Sequence, residues 1–302
     1  MTAGRRITDW AFISLSGLAV LVIVAMLFIV LGNITYHGWE RLSWEFISAA
    51  PKQGMTEGGV FPAIFGTVLL VLLMTIFVVP LGVCVAIFFS EYADRTAWLY
   101  RATRSAVDNL AGVPSIVFGL FGLGFFVRFV GSAIDDTVYG GRLTYGQPAL
   151  LWAAMTMAVL TLPVVIVSVE ESLRTVPQSY RDASYALGAT RSQTIFRVVL
   201  PQALSGVLTG AILAISRGAG EVAPILFVGA AYFLPHLPTQ LNDQFMELGY
   251  HIFILSTQSP DVEATKPLLY GTVLVLLVLT FLLNFTAILI RSRLRVAAGG
   301  GR

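Results

Sequence analysis

The sequence predicts an all-α, polytopic membrane protein with six transmembrane helices. Three observations lead there. Hydrophobic residues make up 56 % of the 302-residue chain and charged residues only 12 %, with a mean hydropathy of +0.80. A soluble domain carries about 25 % charged residues, so this chain lacks the surface charge that would keep it in water. Six apolar stretches each approach or exceed the roughly 20 residues that cross a hydrocarbon core, and Lys and Arg are unevenly divided between the segments that join them.

In chain order the stretches are 11–32, 65–89, 110–129, 149–169, 205–230 and 268–290. The first follows Arg5 and Arg6 but outruns the roughly 7–15 apolar residues of a signal sequence, and no small-residue cleavage site precedes Tyr36-His37. It reads as an uncleaved helix. Glycines interrupt the third stretch and Pro163 the fourth. Membrane helices tolerate such breakers where neighbours satisfy the freed backbone groups.

Orientation follows from the basic residues. With the N-terminus inside, the inner segments hold Arg5, Arg6, Arg95, Arg101, Arg104, Arg174, Arg181, Arg191, Arg197, Arg291, Arg293, Arg295 and Arg302. The outer segments hold Arg41, Lys52, Arg142 and Lys266, while Arg128 ends the third stretch and Arg217 lies inside the fifth. Both termini are therefore expected in the cytoplasm. The inner segment 170–204 is long and rich in helix formers; the outer segments 33–63 and 232–267 carry aromatic and acidic residues. Trp39, Leu42, Trp44 and Phe46 suit a short helix at headgroup depth, and the Gly-rich end 299–302 is expected to be disordered. With no internal repeat, the chain reads as one domain over 1–302, its core at about 60–291 behind a leading helix at 11–32.

Several functions are excluded. A net charge of +2 without a basic, aromatic-laced tract argues against nucleic acid. No G-x-x-x-x-G-K-[ST] occurs, so the chain has no P-loop of its own. Cys84 is alone in an apolar run, reading as a small core or lipid-facing residue. His37, His236 and His251 fall in outer segments without H-E-x-x-H spacing, so structural or surface roles are expected and no metal site. With no histidine in a predicted helix, Ser/His/Asp chemistry inside the membrane has no base; the chain reads as neither an enzyme nor a cofactor binder.

The most informative segment runs from Arg181-Asp182-Ala183-Ser184-Tyr185-Ala186-Leu187-Gly188 to Val198-Val199-Leu200-Pro201. It reads as two short helices at an angle, with Gly188 as the left-handed turn residue and the second helix beginning at Arg191 and closing before Pro201. Ala183, Ala186 and Leu187 give the first a narrow apolar face. That face fits either a groove on another protein or the membrane surface.

The segment resembles the E-A-A-x₃-G-x₉-I-x-L-P signature of ABC importer permeases, with Asp182, Ala183, Ser184, Gly188, Val198, Leu200 and Pro201 at the matching spacing. Asp182, Ser184 and Val198 are mild departures. Pro80-Leu81-Gly82, Ser90-Glu91-Tyr92-Ala93, the run Gly112-Val113-Pro114 through Gly122, and Ser216-Arg217-Gly218-Ala219-Gly220-Glu221-Val222-Ala223-Pro224 look like the phosphate-specific permeases. Gly218 and Val222 depart from their R-A-x-G-E-T-A-P stretch. The likeness covers about 65–227, and the absence of a large outer domain is more like the A subunit of such systems (PstA-like) than its C partner. The resemblance implies a type I ABC importer (MetI-like) permease fold in a bacterial inner membrane. It implies a dimeric ABC ATPase subunit that binds the ATP, a second related permease subunit and a periplasmic phosphate-binding protein. A permease for sulfate or molybdate, and a membrane scaffold that uses the loop only to recruit a partner, stand as alternatives.

The fifth stretch carries Gly206, Gly210, Ala214 and Gly218 every fourth residue, a small-residue stripe for close helix approach. At about 1.5 Å per residue, Arg217 falls roughly 18 Å from Ser205, near the bilayer centre. An Arg there must face protein, water or an ion. Glu221 follows one turn on, close enough to pair, and Pro224 lets the helix bend beside them. Two readings stand: a structural ion pair, or an Arg that contacts a passing oxyanion while Glu221 keeps it from holding too tightly. Finally, Glu40, Glu45, Glu57, Asp135, Asp136, Asp243, Glu247, Asp261 and Glu263 make the outer face acidic. That would repel a free anion and favours delivery by a docked protein, unless these are merely solvated loop charges.

Overall fold

The computed structural model describes residues 3–52, 57–259 and 262–299. A long α1 (Ala3–Gly38) leads into the short α2 (Trp44–Ser48) and a hairpin of β1 (Pro51–Lys52) and β2 (Glu57–Gly58), with Pro51 opposite Gly58. Then come α3 (Phe61–Ile87), α4 (Trp98–Leu110), α5 (Ser115–Phe121), α6 (Ser132–Val138), α7 (Leu150–Thr175), α8 (Gln178–Ala186), α9 (Arg191–Thr194), α10 (Leu200–Gly218), α11 (Leu248–Thr257) and α12 (Val262–Gly299). Wide π-turns at Phe88–Tyr92, Gly122–Gly131 and Ile195–Val199 extend α3, join α5 to α6 and join α9 to α10. Among the described residues six continuous spans are long and apolar enough to cross a membrane: Trp10–Arg41, Phe61–Tyr92, Ser115–Val138, Leu150–Thr175, Arg191–Gly218 and Thr265–Leu294.

Most helices overrun the apolar stretches, because backbone bonding continues into their polar ends. Two boundaries are corrected for other reasons. The third span starts at Ser115, not 110: Leu110 ends the separate helix α4, and Gly112-Val113-Pro114 breaks the chain between them. The fifth helix stops at Gly218, not 230. The expected disorder of 299–302 falls on 300–302, outside the described residues, while α12 continues to Gly299.

α7 is the centre of the core. Its Trp152, Met157, Ile166 and Leu173 are fully buried, as are Leu70 and Met74 of α3. Lipid gives helices little hydrophobic reason to associate, so close packing and interhelical hydrogen bonds must hold them. α10 does this with Gly206, Gly210 and Ala214, all buried. Ser172 and Ser168 of α7 donate to the carbonyls of Ala203 (3.0 Å) and Gly206 (3.2 Å). By contrast α1 is exposed along its apolar length and leans on α12, where Gly38 lies against the Tyr270 carbonyl. α2 forms just after the C-terminal end of α1, N-capped by Ser43, with Phe46 buried and Trp44 exposed.

The chain between α10 and α11 is mostly irregular, and it caps α7. Ala149, Leu150 and Leu151 have N–H groups that no helical carbonyl can reach. They donate instead to the carbonyls of Val228 (2.8 Å), Asp243 (2.8 Å) and Leu241 (2.9 Å). Gly66 of α3 admits the same segment, since a Cβ there would stand 2.0 Å from the Met246 carbonyl.

Candidate functional site

The break at Gly218 lies deep in the bundle. Its backbone packs on Met74 of α3, near the middle of the Phe61–Tyr92 span, and on Met157 of α7. Non-helical backbone at such a depth is tolerated only where protein buries it or where it lines a wet cavity. The first condition holds for most of the segment. Ala219, Pro224, Ile225 and Val228 are buried, whereas Gly220 is exposed and Glu221 partly so. Gly119 and Gly122 of the Gly112–Gly122 motif make room for the turn: a Cβ on Gly119 would meet the Pro224 carbonyl at 2.9 Å, and one on Gly122 would meet Thr156 and Val228.

Arg217 occupies the last turn of α10, where the helix dipole favours a cation. Its Nε lies 3.4 Å from Glu221 Oε1, with the side chains 38 % and 25 % exposed. The pairing forms, but Glu221 is not on the fifth helix. Pro224 likewise does not bend that helix; it begins a 3₁₀ turn, Ala223–Ile225, beyond it. Among the described residues Glu221 is the one partner of the Arg217 guanidinium, which leaves both Nη groups open. Beside it, the Ser216 hydroxyl donates to Asn284 of α12.

Beyond the C-terminal end of α7, α8 holds Asp182, Ala183 and Ser184, and Gly188 turns the chain at φ +80°. Thr190 caps α9, exchanging hydrogen bonds with Gln193. The Ser184 and Thr194 hydroxyls join the two helices at 2.9 Å. Asp182, Ala183 and Ala186 are exposed, and Leu187 at the tip is 90 % exposed. The second helix does not close before Pro201. Pro201 lacks the N–H that a helical bond would use, and a π-turn at Ile195–Val199 carries the backbone straight into α10, which contains Leu200 and Pro201.

Several polar groups that matter here make contacts that the sequence did not foretell. Glu91 forms a buried ion pair with Arg181 at 2.6 Å. Glu170, buried at the end of α7, is held by Arg104 and Arg174. On the opposite side, three acids expected at the mouth serve the backbone. Asp135 accepts from the N–H groups of Thr144, Tyr145 and Gly146. Asp243 accepts from Thr239 and Gln240, which hold its carboxyl below the usual range. Glu247 N-caps α11. Their signal in the sequence was an acid beside turn-forming residues; Asp261 lies outside the described residues.

A family model described as binding-protein-dependent transport system inner membrane component matches residues 78–296. The probable ABC transporter permease protein YqgI of Bacillus subtilis (strain 168) is 32 % identical, over 86 % of this chain and 88 % of that protein. The phosphate transport system permease protein PstA 1 of Mycobacterium tuberculosis (strain ATCC 25618 / H37Rv) is 32 % identical, over 90 % and 82 %. The probable phosphate transport system permease protein PstA of Methanocaldococcus jannaschii is 30 % identical, over 94 % and 93 %. Among solved structures, a bacterial alginate ABC transporter bound to its periplasmic protein superposes with a TM-score of 0.67 at 13 % identity, covering 93 % of each chain. The inward-facing MetNI methionine ABC transporter gives 0.54 at 19 % identity, covering 78 % of this chain and 94 % of that one. At these identities the two structures speak to the fold.

Proposed function

This chain belongs to the family of binding-protein-dependent transport system inner membrane components, and from that premise we propose that it is the permease subunit of an ATP-driven importer that moves inorganic phosphate. It is a multi-pass membrane protein with the type I, MetI-like importer fold. The observation that carries the substrate reading is the Arg217–Glu221 pair, set where α10 ends in mid-bundle and half-open to the surface of this chain. An arginine fork suits a tetrahedral oxyanion. A fully free arginine would retain one, and the neighbouring carboxylate lowers that hold so that the ion leaves. The names of several relatives support phosphate as the ion.

In this reading a second, related permease faces Arg217 and completes the pathway, with a periplasmic phosphate-binding protein delivering the ion. A dimeric ATPase binds the ATP and docks on the Asp182–Ser184 helix and the Leu187 tip. The chain itself hydrolyses nothing and carries no cofactor. Both termini lie in the cytoplasm of a cell whose inner membrane holds the complex, in line with the placement of Lys and Arg. Residues 60–291 act as the working core of the single domain, with α1 outside it.

The test is uptake of radiolabelled phosphate by the complete complex in proteoliposomes, with sulfate and molybdate as competitors. Uptake that excess sulfate and molybdate leave unchanged supports phosphate; equal competition by either overturns it in favour of a broader oxyanion permease.

A further inference from the structure

The inner end of α3 is gripped from both sides of the coupling loop. Glu91 sits in the π-turn that ends the span begun by α3. Its two carboxylate oxygens receive Arg181 of α8, Nη2 at 2.6 Å and Nε at 3.4 Å, a two-point contact of the kind that fixes orientation as well as distance. The side chains are 8 % and 10 % exposed. Arg181 also donates to the carbonyls of Val176 (2.7 Å) and Leu173 (3.0 Å) at the end of α7, the latter shared with the Val176 N–H. Across the Gly188 turn, Arg191 of α9 donates to the Glu91 carbonyl, and its guanidinium lies 4.8 Å from the centre of the Tyr92 ring.

α7 and α10 are joined to the loop through the chain; α3 is not. The pair lines a polar cavity but its side chains are largely covered, and separating them would leave a mostly buried charge without its partner, so a shift of α8 should draw Glu91 along. The other consequence of moving α3 lies at mid-bundle, where Met74 touches Gly218, next to Arg217.

We propose that Glu91 and Arg181 are positioning residues that carry displacement of the coupling loop into α3, and through α3 to the Arg217 break. This rests on the permease reading above. Lying between two sites does not by itself establish coupling, so the test must measure coupling.

The complete complex, with ATPase, second permease and binding protein, is reconstituted, and phosphate imported per ATP hydrolysed is measured per assembled complex. Glu91→Gln and Arg181→Gln are expected to lower that ratio about tenfold while hydrolysis continues, a typical size for coupling between sites. Glu91→Asp keeps the charge but shortens the arm, and should lower the ratio by about threefold. A contact that only holds the fold together would reduce the yield of complex and leave the ratio unchanged. An unchanged ratio in any variant that assembles therefore overturns the proposal, and so does failure of all three to assemble. Absence of phosphate uptake by the unmodified complex would instead overturn the permease reading itself.

Discussion

Gly206 of α10 faces Ser172 of α7 so closely that a Cβ at position 206 would stand 2.0 Å from the Ser172 Cβ. Four residues on, Gly210 is looser, its nearest neighbour being the Ser168 Cβ at 3.4 Å. Both belong to the same stripe of small residues, yet one methyl group should have different consequences in the two places. Gly206→Ala forces helices apart that two serine–carbonyl hydrogen bonds hold together, and overpacking of this kind costs about 1–3 kcal/mol. Gly210→Ala should cost less than about 1 kcal/mol. Thermal melting of the two purified variants checks this; equal losses would mean that the α7–α10 contact is not set at Gly206.

The spans were legible because hydropathy reports burial in lipid. The end of α10 was not, because Val222, Ile225, Leu226, Phe227 and Val228 continue the apolar run while the backbone has left the helix. Hydropathy cannot register a helix break inside the membrane. Gly218, Gly220 and Pro224 were the available signal, and their meaning depended on Met74 and Gly119, neighbours that only the fold supplies. The loop between α7 and α10 was largely readable, since Gly188 and the spacing around it are local. Its second helix was misjudged, because Pro201 reads as a stop unless a π-turn precedes it. The Glu91–Arg181 pair joins residues 90 positions apart, which no local pattern reveals.

Leu187 offers the simplest test of the docking surface. It is 90 % exposed at the tip of the turn, with the exposed Ala183 and Ala186 behind it. An apolar side chain held out this way, beside a narrow apolar helix face, suits a groove on a partner protein. Leu187→Glu should leave the melting temperature of the isolated chain within error. It should weaken retention of the ATPase during purification by about tenfold or more, the equivalent of losing one well-buried leucine. Undiminished retention would move the docking surface elsewhere.

Two buried groups on α11 oppose each other with pH. Burial raises the carboxyl of Glu247 from 4.5 to about 7, and lowers the imidazole of His251 from 6.5 to about 4. The raised acid contributes stability that is complete below pH 4.5 and lost as pH rises through 7. The lowered base contributes stability that is complete above pH 6.5 and lost as pH falls through 4. Between pH 4.5 and 6.5 the two effects offset, so melting temperature should be nearly flat there and fall on either side. A proton affinity that changes tenfold on folding corresponds to about 1.4 kcal/mol, so each group is worth about 3 kcal/mol. Glu247→Gln should leave only the acid-side fall and His251→Phe only the fall towards neutral pH; identical profiles for all three proteins would refute both assignments.

The pathway assignment rests on Arg217, whose Nε lies 3.4 Å from Glu221 while its Nη groups have no partner among the described residues. The decisive measurement is radiolabelled phosphate uptake by complexes carrying Arg217→Gln or Glu221→Gln, each compared at equal amounts of assembled, ATP-hydrolysing complex. Arg217→Gln should slow uptake by about ten- to a hundredfold, the worth of one or two charge-assisted hydrogen bonds, and Glu221→Gln should slow release of the ion and so turnover. Normal uptake by a normally assembled Arg217→Gln complex would contradict the account and leave the pair as a structural tie at the end of α10.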